Sequence, residues 1–396
     1  MILSVLLCLA PSLCWSQDVN SLISDLKARN SNVRFQAKNS LAKIGKPAVG
    51  PLIEALKTGE PEFREDVAHA LGLLKDKDAV EPLIEALRKP GLRARGLAAW
   101  ALGEIGDERA IQPIVTAAVN ETDRHLREDV YRRALAQFPP ASVSKAMFPA
   151  TQNVDADIRQ RAFWFMGELG LPASPSETGS TLAALKDPSS ETRAKAAFYL
   201  GSLKKPENIP PLSALLSDQA PAVRRSAVEA LGNIGNPSAI PYLKTALIDI
   251  DDDTRIAAGS ALSGMGLPGL QALIEAMDAP EPVARLIAGH QLWGLTVSSK
   301  TPEISSKAAK ALSRAVKENN FPAIAGGYDY FMRWPIPEET LITALEQYGY
   351  RDMAQDFINE GTGRMKEAAR TWAGRNGYTV EWLCIEGDCF WSIRQR

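Results

Sequence analysis

Residues 223–235, "VRRSAVEALGNIG", decide the fold of this chain. Their apolar side chains recur every three or four residues, which is the spacing of one face of an α-helix. Glycine interrupts this pattern at Gly232 and closes it at Gly235. Variants of the stretch recur along the chain, each with an arginine near its start. Successive arginines lie 30 to 34 residues apart, at Arg34, Arg64, Arg95, Arg127, Arg159, Arg193, Arg224, Arg255 and Arg285.

A second apolar segment lies between consecutive arginine helices, as in "AVEPLIEALR" at 79–88 and "AIPYLKTALI" at 239–248. Proline in its first turn is tolerated, because the missing N–H would have no partner there. An aspartate six residues before the arginine is predicted to accept N–H bonds from the coming helix, at Asp187, Asp218 and Asp249. Each unit is therefore helix–turn–helix. One such pair cannot bury its apolar stripe alone, so the units are predicted to stack side by side.

Glycine also recurs eight residues after the arginine, at Gly72, Gly103, Gly167, Gly201 and Gly232. Glycine inside a helix costs up to about 1 kcal/mol of helix propensity. We expect that it is used here to let adjacent helices approach closely. The copy at Arg127 departs from the pattern, because "RALAQFPP" at 133–140 replaces the glycines.

The pattern "VRRSAVEALGNIG…AIPYLKTALID" closely resembles the short HEAT-like repeats first associated with phycobilisome lyases, over roughly residues 20–300. This resemblance implies an all-α fold, a right-handed α-solenoid (superhelix) of about nine helix–turn–helix repeats. It says almost nothing about activity, because solenoids lend one scaffold to many unrelated tasks.

The composition and the first residues bear on location. A formal net charge of −2 gives no general attraction to nucleic acid or to an anionic membrane. Residues 1–16 carry no charged side chain, and their apolar run from Ile2 to Ala10 is too short to span a bilayer. Cys14 and Ser16 suit a cleavage site before Gln17. We therefore predict a signal peptide at 1–16 and an exported bacterial protein, periplasmic or secreted, without a membrane anchor. A short buried helix is the alternative for this segment.

The repeat period stops near residue 300, so residues 17–300 are predicted as the solenoid and 301–396 as a small α+β cap. Cys384 and Cys389 lie in "EWLCIEGDCFW", whose aromatic and β-branched flanks favour a β-hairpin. We predict a disulfide across it, worth about 2 kcal/mol. The alternative for this segment is a carbohydrate platform built from Trp382, Phe390 and Trp391.

Two enzyme groups share the repeat and can be tested on residues. HEAT-repeat deoxyhypusine hydroxylases hold two irons with His-Glu pairs, but none of His69, His125 and His290 precedes a glutamate. The lyases act on bilins inside the cell, which an exported protein would not meet. The phosphate-loop, zinc-protease and serine-hydrolase motifs are absent from the sequence. We expect no enzyme activity, metal or cofactor, and keep a divergent lyase or hydroxylase as the alternative.

A binding surface is predicted from helical phase. The residue five positions after each arginine lies opposite the core face and should meet solvent. In the central repeats this column holds Trp100, Arg132, Trp164 and Phe198, and the column nine positions on adds Glu104 and Glu168. Trp and Arg are enriched at binding hot spots. We predict that these residues bind a partner protein on the concave surface of the solenoid, as a scaffold or adaptor. The alternative is that the aromatics pack against adjacent helices.

Overall fold

The computed structural model describes residues 11–89, 91–333, 336–385 and 388–395. Contacts divide the chain into two compact units, Met1–Tyr199 and Leu200–Arg396. The predicted change of organisation at residue 300 is a different kind of boundary and stays a prediction.

In the first unit, arginine helices alternate along the chain with the helices that connect them. They are α1 (Pro11–Asp25), α2 (Ser31–Ile44), α3 (Val49–Thr58), α4 (Pro61–Leu74), α5 (Val80–Leu87), α6 (Leu92–Ile105), α7 (Ile111–Asn120), a π-helical segment (Leu126–Tyr131) that continues into α8 (Arg132–Leu135), α9 (Pro140–Met147), α10 (Ala156–Glu168), α11 (Pro175–Ala184) and most of α12 (Ser190–Ser202). Residues 1–10 of the predicted signal peptide lie outside the described residues, and residues 11–16 begin α1.

The second unit continues with further helices and ends in a hairpin. Its helices are α13 (Ile209–Ala214), α14 (Pro221–Ile234), α15 (Ile240–Ala246), α16 (Asp252–Gly264), α17 (Gly266–Ala276), α18 (Pro282–Ser298), α19 (Pro302–Lys317), α20 (Phe321–Gly326), α21 (Tyr328–Met332), α22 (Glu338–Tyr348), α23 (Arg351–Glu360) and α24 (Gly363–Arg375). Strands β1 (Tyr378–Ile385) and β2 (Asp388–Gln395) follow.

The arginine helices carry the core of each unit. Each of the nine arginines lies in a helix, and α4 packs between α2 and α6 just as α16 packs between α14 and α18. The leucine seven residues after the arginine is fully buried in many copies, at Leu41, Leu71, Leu102, Leu231, Leu262 and Leu292. The repeat phase read from the sequence is therefore confirmed, and the fold is an all-α solenoid with a small β-hairpin cap.

The recurrent glycines lie where neighbouring helices touch. A Cβ added at Gly201 would lie 2.5 Å from the Cα of Ala230, and one added at Gly232 would lie 2.6 Å from the Cβ of Ala261. Carbon atoms in normal contact are separated by about 3.5–4.0 Å. The expectation of closer helix approach is confirmed at these positions.

The recurrent arginines have a structural role. Nη1 of Arg224 donates to the backbone oxygen of Asp218 at 2.9 Å, in the turn before its own helix. Its Nε and Nη2 each donate to a carboxylate oxygen of Asp249 at 2.8 Å, in the corresponding turn one repeat later. Asp249 in turn accepts a bond from the N–H of Asp251 at 2.8 Å, so its donor lies in the turn and not, as predicted, in the coming helix. Asp251 itself caps that helix by accepting from the N–H of Thr254 at 2.9 Å. One arginine thus ties two successive turns together.

The same connection recurs in the first unit, where Arg159 pairs with Asp187 at 2.8 Å and Arg95 with Glu121 at 2.9 Å. Glu121 is only 6 % exposed, so the pair shields a carboxylate that would otherwise be buried alone.

The C-terminal segment covers the last repeat. A Cβ added at Gly289 of α18 would collide with the backbone oxygen of Ala323, and one added at Gly326 of α20 would collide with that of Leu286. These helices cross with almost no side chain between them. This packing agrees with the predicted cap.

The hairpin docks on α23. The side-chain oxygen of Gln355 accepts from the N–H of Ile393 at 2.7 Å, and that of Asn359 accepts from the N–H of Trp391 at 3.0 Å. The antiparallel register places Cys384 opposite Cys389. The predicted hairpin is confirmed, whereas the cysteine side chains lie outside the described residues and their disulfide stays a prediction.

Candidate partner-binding groove

An open groove of about 810 Å³ lies on the first unit and gathers three of the predicted binding residues, Arg132, Trp164 and Glu168. The other residues that line it were not predicted as binding residues: Thr122, Arg124, Arg127, Glu128, Gln160, Arg161 and Lys195. The groove crosses the arginine helices of three consecutive repeats, namely the π segment with α8, then α10 and α12. We call it the basic groove.

The π-helical segment shapes one wall of the groove. Gly103 meets Ala134, seven residues after Arg127, whereas Gly201 and Gly232 meet alanines six residues after their arginines. The helix of Arg127 therefore holds one extra residue, which the wider π turn accommodates. Leu135, 1 % exposed, likewise lies eight rather than seven residues after the arginine.

The extra residue corrects the column read from the sequence. Arg133, not Arg132, takes the position that corresponds to Trp100 in the preceding repeat. Arg133 points to solvent and pairs with Asp129 at 2.7 Å. Arg132 lines the groove, and its Nε donates to the backbone oxygen of Glu128 at 2.8 Å.

Trp164 is half-buried in α10, with its ring edge-to-face on Phe165 at 4.9 Å between centroids. The repeat before it is the one whose glycines are replaced by "RALAQFPP". No glycine on the preceding arginine helix offers this ring a seat, and Trp164 lines the groove instead. The missing glycine is the sequence signal that sets Trp164 apart from the other aromatics of its column.

Trp100 and Phe198 do have such seats. Atom Cζ3 of Trp100 lies 2.5 Å from the position of a Cβ on Gly72, and the ring of Phe198 fills the place that a Cβ on Gly167 would take. Trp100 also contacts His69 edge-to-face at 4.8 Å. Both aromatics are half-buried against the preceding helix, as the packing alternative predicts, and neither lines the basic groove.

Glu104 also lies outside the lining of the groove, where its carboxylate pairs with Lys75 at 2.7 Å. Glu168, by contrast, is exposed and lines the groove. The two glutamates of the predicted column therefore have different surroundings.

Positive charge dominates the groove. Its lining holds five basic side chains and two acidic ones, which leaves a formal charge of +3. Arg127 and Arg161 are held by backbone oxygens, of Glu121 at 3.2 Å and of Val119 at 3.1 Å. Each also has an acidic partner, since Arg161 lies 3.5 Å from Asp157 and Arg127 lies 3.8 Å from Glu128. The groove is thus a preorganised cationic surface around one tryptophan.

The aromatic residues of the hairpin do not form one platform. Trp382 and Trp391 are paired across the strands, so they share a face, whereas Phe390 is paired with Leu383 and lies on the other face. The two indole rings meet at 62° with centroids 5.1 Å apart, and Trp382 is 54 % exposed. A flat sugar ring could stack on one indole of this pair but not on all three rings.

Two further features concern ligands and membranes. In the described ranges, no group of three or more His, Cys, Asp or Glu side chains is arranged to hold a metal ion. None of the helices in the described part of the chain has both the length and the apolar content needed to cross a bilayer.

Comparisons with known proteins identify the repeat. A family model for HEAT repeats matches residues 49–132 and 180–263. No curated protein sequence matches the chain. Among solved structures, a mutant of the karyopherin Kap121p is 14 % identical with a TM-score of 0.55, and the match covers 96 % of this chain and 48 % of that one. This chain thus spans about half the length of the karyopherin.

Two other solved structures match the chain, one with a similar TM-score and one with a much lower TM-score. Kap121p bound to the SUMO protease Ulp1p is 13 % identical with a TM-score of 0.55, over 95 % of this chain and 46 % of that one. Human deoxyhypusine hydroxylase in complex with glycerol is 21 % identical, over 64 % of this chain and 98 % of that one, but its TM-score of 0.28 carries no argument. The family match shows that the chain contains HEAT repeats, and the shared fold supports a HEAT-like repeat protein.

Proposed function

We propose that this protein is an exported scaffold or adaptor, not an enzyme, and that it binds a partner protein in the basic groove. The observation that carries the proposal is the placement of Trp164, Arg132 and Glu168 in one groove with four further cations. Trp and Arg are the residue types that dominate binding energy at protein interfaces. We propose no nucleic-acid partner.

The fold supports this proposal in a general way. One karyopherin with a similar fold is described as bound to a SUMO protease. Stacking aligns the equivalent helices of successive repeats into one long surface, which repeat proteins commonly use for binding. The partner of the present chain is proposed on its own groove, not on that likeness.

Export is part of the proposal and rests on residues 1–16. Cleavage before Gln17 would leave Val19 and Leu26, each 1 % exposed, to pack on the first repeat. Sequencing the N-terminus of the mature protein tests this directly. A mature chain that still begins at Met1 would contradict export by this signal.

Site-specific photo-crosslinking tests the binding site. A photoreactive residue at Gln160, which lines the groove, is compared with one at Gln112, an exposed position on α7. We expect a defined protein adduct from position 160 that is absent from position 112 and is lost with Trp164→Ala. Equal adducts from both positions would contradict the proposed site.

The enzyme alternative has its own test. Metal analysis of the purified chain should find no stoichiometric iron if the protein acts as a scaffold. Bound iron at a fixed ratio would instead favour the hydroxylase alternative.

A further inference from the structure

Two of the five cations of the basic groove have no carboxylate to neutralise them, whereas Arg124 and Arg127 share Glu128 and Arg161 pairs with Asp157. Within the described part of the chain, neither Arg132 nor Lys195 has an acidic group within ion-pair distance. Lys195 instead places its Nζ 5.9 Å from the ring centroid of Phe198. A cluster of unpaired cations repels itself, and an anionic ligand relieves that repulsion.

The two carboxylates of the groove are not equivalent. Glu128 lies 2.9 Å from Arg124 and 3.8 Å from Arg127, so its charge is already compensated. Glu168 is exposed, and no cation lies within ion-pair distance of it among the described residues. The described part of the groove therefore presents two unpaired cations, one tryptophan and one unpaired carboxylate.

From this arrangement we infer that the groove binds an acidic, extended segment of the partner protein, an inference that rests on the proposed function. Carboxylates of the segment pair with Arg132 and Lys195, an apolar or aromatic side chain contacts Trp164, and a peptide N–H or a basic side chain meets Glu168. A peptide can supply all three groups within a short stretch.

A nucleic acid fits the groove less well. Its phosphates would face the uncompensated carboxylate of Glu168, and non-specific binding needs a continuous basic track that neutralises many phosphates. The chain as a whole carries a formal charge of −2, and the lining of the groove has only five basic residues.

The size of the groove sets the length of the segment. Neighbouring helix axes lie about 8–10 Å apart, so three successive arginine helices span about 16–20 Å. An extended chain covers about 3.3–3.6 Å per residue. The segment in contact with the groove is therefore about five or six residues long.

Fluorescence anisotropy with defined probes tests the inference. The probes are a labelled twelve-residue peptide rich in Glu and Asp with one Phe, the same peptide with each acid replaced by its amide, and a twelve-nucleotide single-stranded DNA. We expect the acidic peptide to bind the full chain most tightly, and its affinity to fall as NaCl rises from about 50 to about 200 mM, because salt screens the charges.

Substitutions inside and just outside the groove separate its cations from the general charge of the chain. The double substitution Arg132→Gln and Lys195→Gln removes two groove cations and should weaken binding of the acidic peptide about tenfold or more. Arg133→Gln removes the adjacent, exposed arginine that points away from the groove and should change the affinity less than about twofold. Thermal melts of the variants should match that of the wild type, since these side chains are not core.

The outcomes separate the inference from the proposed function. Equal binding of the acidic and amide peptides, or tighter binding of the DNA, would overturn the acidic-segment inference. If Gln160 still crosslinks a partner in that case, the groove remains the site and only the chemistry of its partner is wrong.

Discussion

Replacing Gly201 by alanine should destabilise the second unit, because the new methyl group has no room. The added Cβ would lie 2.5 Å from the Cα and 2.6 Å from the Cβ of Ala230, about 1 Å closer than carbon atoms normally approach. Both obstacles belong to a neighbouring helix and cannot rotate away. The helices must separate, and overpacking of this kind costs about 2–3 kcal/mol.

The substitution also has a favourable part. Alanine is a better helix former than glycine by about 1 kcal/mol, so the net loss should be about 1–2 kcal/mol. For a unit of this size, that corresponds to a fall in melting temperature of about 2–8 °C. Differential scanning calorimetry measures it, and also shows whether the two units melt in separate transitions.

Gly179 is the matched control for this experiment. It lies in α11, exposed, with nothing within 4 Å of an added Cβ. Gly179→Ala should therefore stabilise the chain by up to about 1 kcal/mol. If Gly201→Ala is as stabilising as Gly179→Ala, the argument that the recurrent glycine permits close helix packing is refuted.

Three further predictions concern pH, the recurrent arginine and the hairpin. Burial, and then the nearby Lys38, lowers the pKa of His69 below its ordinary 6.5. The neutral form is favoured in the fold, so stability should decrease as pH falls below about 6.5. His69→Gln should reduce that loss in denaturation curves recorded at neutral and at mildly acidic pH, and an unchanged pH dependence would contradict it. Arg224→Met should lower the free energy of unfolding, measured in urea, by about 3 kcal/mol, because it leaves the largely buried carboxylate of Asp249 without its cation. A loss below about 1 kcal/mol would show that the arginine is dispensable. Finally, Cys384 and Cys389 should resist alkylation until a reductant is added, with free labelling of both ruling out the disulfide.

Much of the fold follows from the sequence, because a single period sets it. The buried leucines, such as Leu71 and Leu231, recur in the sequence seven positions after the arginine. The hairpin is equally visible from the aromatic and β-branched flanks of its turn. These features depend on local spacing, which a sequence contains directly.

The π segment is not visible in the same way. The spacing from Arg127 to Arg159 is ordinary, because the extra residue in the helix is absorbed before the next repeat. Sequence reasoning therefore placed Arg132 in the wrong column, although it belongs to the groove. The contact between Gly103 and Ala134 and the burial of Leu135 reveal the shift.

The split of the aromatic column has a physical cause that the helical phase does not contain. Position five faces away from the core of its own pair but lies beside the preceding arginine helix. Whether an aromatic there is packed or lines a groove depends on the residue that faces it on the preceding arginine helix. That residue is a glycine for Trp100 and Phe198, but not for Trp164.

Fluorine NMR of the chain labelled with 5-fluorotryptophan distinguishes binding in the groove from binding on the hairpin, because tryptophans of both sites report in one spectrum. The resonance of Trp164 is assigned by its loss in Trp164→Phe, and that of Trp382 by its loss in Trp382→Phe. The labelled chain is titrated with the acidic peptide, or with the partner protein that crosslinking identifies. We predict a saturable shift of the Trp164 resonance and no shift of the Trp382 resonance. A shift at Trp382 with Trp164 unchanged would contradict the account and place recognition on the C-terminal hairpin.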